Sequence, residues 1–153
     1  MRVIVQRSLE SYVSVNNQVV GKIKKGLVAL VGFTQGDTEK EIDYLVDKIT
    51  HLRIFDDDDG VMNRSLFDVG GDILSISQFT LYADASKGRR PSYVSALSGD
   101  KAVLLYDLWN QKLVQSGIHV EKGIFGANME VHIVNDGPVT ILLEKGSDKS
   151  ERY

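Results

Sequence analysis

Residues 26 to 33 form an unbroken apolar run, Gly26-Leu27-Val28-Ala29-Leu30-Val31-Gly32-Phe33. The run is too short for a typical helix, and it lacks the alternation of apolar and polar residues that marks a half-exposed strand. Strands that are apolar along their whole length are typically buried on both faces of a sheet. We therefore predict a strand here, at the centre of the hydrophobic core.

The sequence before this run predicts further strands. Apolar residues are interspersed with polar ones through residues 2 to 15, and residues 18 to 23 repeat the pattern. Asn16-Asn17 is the natural turn between the two segments. We expect two short antiparallel strands that meet at this turn.

Two segments after the run predict amphipathic helices. Thr38 and Glu41 have the spacing of a capping box, and the apolar residues of 38 to 52 follow at helical spacing. Residues 101 to 116 show the same spacing, and Gly117 is placed to end that helix. These are the two main helices that we expect.

The remaining periodic segments are predicted strands, at residues 73 to 81, 129 to 135 and 139 to 144. Neither a repeat nor a change in composition marks a domain boundary, so residues 1–153 are predicted to form a single domain. The order of elements predicts an α+β fold, in which a curved antiparallel sheet carries the two helices.

Composition restricts the function. The chain has no cysteine, which excludes disulfides, thiolate catalysis and metal sites built from cysteine. A formal net charge of −3 argues against nucleic-acid binding over a broad basic surface, so any RNA contact must be local. The first residues do not resemble a signal peptide and no run is long enough to span a membrane. We expect a soluble, cytoplasmic protein.

Common catalytic motifs are missing from the sequence. There is no G-x-S-x-G elbow, no H-E-x-x-H zinc helix and no phosphate-binding loop. The acidic turn at residues 56 to 60 does not place oxygen ligands at the first and twelfth positions of a calcium loop. His51, His119 and His132 are scattered rather than paired. We predict no metal and no cofactor.

Three polar segments remain without a functional assignment from general motifs. They are Ser77-Gln78-Phe79-Thr80-Leu81, Lys87-Gly88-Arg89-Arg90-Pro91-Ser92 and Asn135-Asp136-Gly137-Pro138-Val139-Thr140. Taken alone, the first is compatible with a half-exposed strand, the second with a solvated loop and the third with a plain turn.

The first and third segments resemble the two signature motifs of the D-aminoacyl-tRNA deacylases, S-Q-F-T-L and N-x-G-P-V-T, and the second resembles the basic segment that follows the first motif in that family. Further similarities run in order along the chain: V-x-x-Q-R at residues 3 to 7, G-L-x-x-L-V-G at 26 to 32, K-I-x-x-L-R-I-F at 48 to 55 and G-x-F-G-A-x-M at 123 to 129. The likeness therefore covers nearly the whole chain.

The resemblance implies a barrel-like domain that acts as a homodimer and hydrolyses the ester between a D-amino acid and the 3′ end of tRNA. It assigns the catalytic segment to Ser77, Gln78, Phe79 and Thr80, with N–H groups of this segment aimed at the oxyanion. Thr80 is open to two roles, covalent nucleophile or positioning group. We favour the second, with water attacking and a ribose hydroxyl of the tRNA assisting, because no base is identifiable to activate Thr80.

The same resemblance assigns Gly137 and Pro138 to a cis pair that one subunit inserts into the active site of the other, where it excludes L-amino acids. D-amino acids of many kinds, and also glycine, would pass this filter. Lys87, Arg89 and Arg90 are the candidates for contacts with tRNA phosphates. Two other function classes stay open, a module that binds without turnover and a surface that only mediates interactions.

Overall fold

A computed structural model describes residues 1–146, so the last seven residues of the predicted domain, 147 to 153, lie outside the described residues. The helices are α1 Glu39–His51, α2 Leu66–Val69 and α3 Gly99–Gln115. The strands are β1 Arg2–Ser8, β2 Ser11–Val15, β3 Gln18–Ile23, β4 Gly26–Gly32, β5 Phe55–Asp56, β6 Met62–Arg64, β7 Asp72–Ser77, β8 Val120–Lys122, β9 Glu130–His132 and β10 Asn135–Glu144.

Strand β4 lies at the centre of a five-stranded sheet, as its apolar sequence predicted. The strand order is β10-β1-β4-β7-β8, so β4 has a hydrogen-bonded neighbour on each side. Six of its seven residues are buried. A strand in this position has no exposed face, which explains why it contains no polar residue.

Two different layers cover the two faces of the five-stranded sheet. On one face, Leu27, Ala29 and Val31 belong to a core cluster that includes residues of α1 and α3, among them the fully buried Trp109. On the other face, Val28 packs in a second cluster with residues of β2 and β3. These two strands and β9 form a separate three-stranded sheet, in the order β3-β2-β9. Successive side chains of β4 alternate between the two cores.

Helix α1 begins with the predicted capping box. The Thr38 side chain accepts a hydrogen bond from the N–H of Lys40, and the Glu41 carboxylate accepts from the N–H and the hydroxyl of Thr38, both at 2.7 Å. Burial opposes ionisation of Glu41, but these hydrogen bonds outweigh it and lower the pKa of this carboxyl. The predicted range of 38 to 52 matches the helix together with its two caps.

The prediction of an antiparallel sheet is wrong in part. Strands β10, β1 and β4 are antiparallel, but β7 runs parallel to β4 and β8 runs parallel to β7. Helices α1 and α3 lie within the connections from β4 to β7 and from β7 to β8. Long connections of this kind let a chain return in the same direction, and parallel pairing follows.

Other elements differ from prediction at their ends. Residues 2 to 15 form two strands rather than one, although the turn at Asn16-Asn17, where both residues have positive φ, is confirmed. Helix α3 begins two residues earlier than predicted and ends before Gly117. The short helix α2 and the β5-β6 hairpin were not predicted. The largest difference is at residues 73 to 81, where the strand stops at Ser77.

Residues 1–146 form sheets of five, three and two strands, and none of these is a closed barrel. The mixed α and β architecture was predicted. None of the helices in this part of the chain is long and apolar enough to cross a membrane.

The capping box leads to a stability prediction. Thr38→Ala should lower the free energy of unfolding by about 1 kcal/mol, because it removes the side-chain acceptor at the helix N-terminus. Thr38→Ser is the matched control, since it keeps the hydroxyl and should stay much closer to wild type. Urea unfolding followed by circular dichroism measures both. Equal loss in the two variants would show that the hydroxyl does not stabilise α1.

Candidate active site

The carboxyl ends of β4 and β7 meet at the same edge of the sheet because the two strands are parallel. Val31 of β4 is paired with Ser77 of β7, the last residue of that strand. Residues that follow neighbouring parallel strands lie close together, and this edge is where ligands typically bind in such sheets. The predicted catalytic segment begins here.

The chain leaves the sheet immediately after Ser77. Gln78 donates its backbone N–H to the carbonyl of Val31 at 2.7 Å, and residues Phe79–Tyr82 form one 3₁₀ turn. We call it the catalytic turn because it contains the predicted catalytic residues Phe79 and Thr80. Its first internal hydrogen bond runs from the N–H of Leu81 to the carbonyl of Gln78. The N–H groups of Phe79 and Thr80 therefore have no acceptor within the turn, whereas the N–H of Gln78 is already used.

Gly32, the last residue of β4, makes room for the catalytic turn. A Cβ atom at this position would lie 2.9 Å from the carbonyl oxygen of Gln78 and 3.1 Å from the Cβ of Leu81. Both distances are shorter than ordinary van der Waals contact. Glycine at this position therefore allows the backbone of the turn to lie directly against the end of β4.

The four predicted catalytic residues are adjacent but differ in exposure. Ser77 and Gln78 are half-buried, while Phe79 and Thr80 are exposed. The side-chain amide of Gln78 donates a hydrogen bond to the hydroxyl oxygen of Thr80 at 2.5 Å. This contact fixes the orientation of the Thr80 hydroxyl. An amide is not a base at neutral pH, so Gln78 cannot activate Thr80 by removing its proton.

An open cavity of roughly 500 Å³ lies beside the segment, and Ser77, Gln78 and Phe79 form part of its wall. The rest of the wall is largely apolar and comes from the end of β4, the loop into α3 and the segment before β9. These residues are Val31, Gly32, Phe33, Ile76, Leu97, Gly99, Ala102, Phe125, Gly126, Ala127, Met129 and Val131. The cavity is large enough for part of a nucleotide or an amino acid.

Sequence reasoning did not identify the apolar wall as part of the site. Phe125, Ala127 and Met129 belong to the G-x-F-G-A-x-M segment, which was noted only as a similarity. The polar residue of that segment, Asn128, is not among the residues that line the cavity, and only the fold brings the segment to β7. Met129 also packs against Gly123, where a Cβ would lie 2.4 Å from its sulfur.

Lys87, Arg89 and Arg90 lie on an exposed loop that follows the catalytic turn. Asp84 and Ser92 close the loop at its base through two backbone hydrogen bonds of 2.8 Å. Hydrogen bonds from the Ser86 hydroxyl and backbone N–H lower the pKa of Asp84. Within residues 1–146, none of the three cations forms an ion pair. They are therefore available to a polyanion.

The Gly137-Pro138 peptide bond is cis, as expected from the resemblance, and both residues are exposed. Arg7 holds the chain just before this pair, because its guanidinium donates hydrogen bonds to the carbonyls of Asp136 at 3.0 Å and Ile54 at 2.9 Å. Gly137 has φ of +134°, a backbone conformation that favours glycine.

Gly137 and Pro138 lie far from the catalytic turn of their own chain. Leu143 of β10 pairs with Val3, which pairs with Val31, and Val31 pairs with Ser77. Leu143 and Ser77 therefore lie at the same level of the sheet. Strand β10 bulges between Asn135 and Thr140, which pair with Ser8 and Gln6, so Gly137 lies three to five residues of β1 away from the level of Val3. Two strands separate β10 from β7. Strand dimensions then give a separation of about 10 to 17 Å along the strands and about 14 Å across them. The two motifs cannot contact each other within one chain.

The three histidines are paired with carboxylates away from the catalytic turn. His51 lies 3.4 Å from Asp47, His119 lies 3.0 Å from Glu121 and His132 lies 3.6 Å from Glu130. Each of these carboxylates is close in sequence to its histidine. Among the described residues, no group of three or more potential ligands is arranged to hold a metal ion.

Comparison with known proteins gives consistent results along the whole chain. A family model described as D-Tyr-tRNA(Tyr) deacylase matches residues 4–144. The chain is 51% identical over 152 residues to a D-aminoacyl-tRNA deacylase of Thermus aquaticus, and 56% identical over 151 residues to one of Listeria monocytogenes serotype 4a (strain HCC23). Both alignments cover 99% of this chain and 100% of the relative.

Solved structures show the same fold. The c-Myc DNA unwinding element binding protein superposes with a TM-score of 0.90 at 36% identity, covering 96% of this chain and 100% of that one. A probable eukaryotic D-amino acid tRNA deacylase superposes with a TM-score of 0.80 at 21% identity, covering 92% of this chain and 97% of that one, and this shows the fold alone. Because the family model spans residues 4–144 and the relatives match nearly end to end, the chain belongs to the D-Tyr-tRNA(Tyr) deacylase family.

Proposed function

We propose that the chain is a single D-aminoacyl-tRNA deacylase domain, which hydrolyses the ester bond of D-aminoacyl-tRNA and releases the free D-amino acid and tRNA. The observation that carries the proposal is the position of Ser77, Gln78 and Phe79 in the wall of an apolar cavity, with the Thr80 hydroxyl hydrogen-bonded to Gln78. Membership of the family supports the same activity. Its place of action is the cytoplasm, where tRNA is charged, and its role is chiral proofreading.

The chemistry requires little acid–base assistance, because an aminoacyl ester is already activated. The enzyme has to position the ester, stabilise the oxyanion that develops and admit a nucleophile. The N–H groups of Phe79 and Thr80, at the start of the catalytic turn, are the proposed oxyanion donors. We assign the attack to water, assisted by the neighbouring ribose hydroxyl of the tRNA. No metal or cofactor takes part in this scheme.

We assign Thr80 to positioning. Its hydroxyl oxygen accepts a hydrogen bond from the amide of Gln78, which leaves its own proton free to bind the ester or the water. A covalent role would require a base to remove that proton, and the histidines contact carboxylates elsewhere in the structure. Ser77 and Gln78, which form part of the cavity wall, are the proposed neighbours of the scissile carbonyl.

We infer that the enzyme works as a homodimer, in which Gly137 and Pro138 of one copy enter the active site of the other. The estimated separation of these residues from Ser77 in the same chain supports this, because any joint site needs a second copy. Exposure of the pair leaves it free to insert. The barrel-like arrangement implied by the resemblance stays a prediction.

Chirality is then selected by exclusion. The backbone carbonyls of Gly137 and Pro138 occupy the space that an L-side chain would need, so only the D-form and achiral glycine fit. Exclusion of this kind makes no specific contact with the D-side chain. We therefore expect activity on many different D-amino acids. Lys87, Arg89 and Arg90 provide the contacts with acceptor-stem phosphates, a local cationic patch on a chain with net charge −3.

The direct test is hydrolysis of paired substrates. We expect the protein to hydrolyse D-Tyr-tRNA rapidly and L-Tyr-tRNA little beyond its spontaneous rate, which is measured as loss of labelled amino acid from tRNA. A transition-metal chelator should leave the rate unchanged in the presence of Mg²⁺, which the tRNA needs. Tight binding of tRNA without hydrolysis would contradict an enzyme and favour the binding module. Loss of activity with the chelator and recovery with zinc would contradict the metal-free scheme.

The role of Thr80 leads to a second prediction. Thr80→Ala should lower kcat by roughly tenfold, the size of one lost hydrogen bond, whereas loss of a nucleophile would remove orders of magnitude more. Thr80→Ser keeps the hydroxyl and is the matched control. Gln78→Ala should also lower kcat, because it releases the Thr80 hydroxyl and alters the cavity wall. Trapping of an acyl-enzyme on Thr80 after rapid quench would contradict the positioning role.

A further inference from the structure

Two contacts hold the catalytic turn, one with β4 at its start and one with Arg2 at its end. We call the contact with β4 the inner anchor and the contact with Arg2 the outer anchor. Arg2 of β1 extends its guanidinium to the end of the turn, where Nη1 donates a hydrogen bond to the carbonyl of Leu81 at 2.7 Å. Leu81 directly follows Thr80. The last carbonyls of a helical turn have no donor within the turn, so an external donor at this point restrains its geometry.

The guanidinium of Arg2 makes two further contacts. Its Nε lies 3.2 Å from a carboxylate oxygen of Glu144, which is the residue paired with Arg2 across β10. Its central carbon lies 4.5 Å from the centre of the Tyr82 ring, the distance of a cation–π contact. Tyr82 is buried beneath it. Three contacts from one planar group fix the group in both position and direction.

The inner and outer anchors hold the two ends of the same turn. At its start, the Gln78 N–H bonds to the carbonyl of Val31, and the turn lies directly on Gly32. At its end, Arg2 contacts Leu81 and Tyr82. Burial raises the pKa of Tyr82, so this ring stays neutral and serves Arg2 as an aromatic face. Between the two anchors lie Phe79 and Thr80.

We propose that Arg2 is a positioning residue for the reaction, which fixes the catalytic turn through the Leu81 carbonyl and the Tyr82 ring while Glu144 fixes Arg2. The inference rests on the proposed function of the turn. Arg2 does not line the apolar cavity, so it acts through the turn rather than on the ester. Loosening the outer anchor lets the Thr80 hydroxyl and the N–H donors move away from their optimal places, which slows the chemical step.

The test compares substitutions at the outer anchor with one at a surface arginine. Arg2→Met should lower kcat for D-Tyr-tRNA about three- to tenfold while KM stays within twofold, because the proposed phosphate contacts lie on a different segment. Arg2→Lys should recover only part of kcat, since an ammonium cannot make the planar contacts of a guanidinium. Arg64→Met is the matched control. Arg64 forms a surface pair with Asp58 at 3.0 Å and should leave both constants unchanged.

Glu144→Gln provides a second route to the same result if Arg2→Met folds poorly. It keeps the size of the side chain but removes the charge that fixes Arg2, and should lower kcat by a smaller factor without raising KM. If the wild-type enzyme is active and kcat is unchanged in both Arg2→Met and Glu144→Gln, the inference about Arg2 is overturned while the proposed function stands. A rise in KM at constant kcat would also overturn it, because it would make Arg2 a substrate contact. Inactive wild type would instead overturn the proposed function, and this inference with it.

Discussion

The architecture depends on one constraint, the burial of both faces of β4. Because β4 has no polar side chain, it needs a hydrogen-bonded strand on each side and an apolar layer above and below. The helices α1 and α3 supply one layer and the three-stranded sheet supplies the other. Placing α1 over the sheet also makes the chain cross from β4 to β7 in the same direction. The two strands therefore end at the same edge, and the catalytic turn begins there, next to the end of β4.

The sequence predicted those parts whose signal is local. Three elements are each specified by residues within a few positions of one another: the apolar run of β4, the capping box of α1 and the turn at Asn16-Asn17. Strand direction is not local, because the alternation of side chains is the same in parallel and antiparallel strands, and this is why the sheet was predicted as antiparallel. The predicted strand at residues 73 to 81 failed for a related reason. Its polar residues fall on both faces of the predicted strand, and the N–H of Gln78 still makes a ladder bond to Val31, but the chain then turns into the space above Gly32.

The site shows the same division between local and long-range information. Its polar residues were predicted from the resemblance, and the structure gives the Gln78–Thr80 hydrogen bond that links two of them. The apolar wall could not be found, because residues such as Phe33 and Phe125 have no chemical signature and reach the cavity only in the folded chain. The exposed cations of the loop that begins at Asp84 fit the requirement that RNA contact be local on an acidic protein. Gly137 and Pro138 lie too far from the turn to act on it within one chain, so the proposed filter depends on a second copy.

The central claim, a site shared between two copies, is tested most directly by subunit mixing. One variant, Gln78→Ala combined with Thr80→Ala, should have a much lower kcat but keeps the filter. The other, Gly137→Ala, keeps the catalytic turn but disturbs the filter, because its φ is +134° and the added Cβ would lie 2.9 Å from a methyl group of Val139. Alone, it should hydrolyse both D- and L-Tyr-tRNA. Co-assembly with an excess of the impaired variant gives each unimpaired turn an intact filter from its neighbour, so hydrolysis of the L-form should fall while hydrolysis of the D-form continues. Unchanged hydrolysis of the L-form in verified mixed dimers would contradict the account.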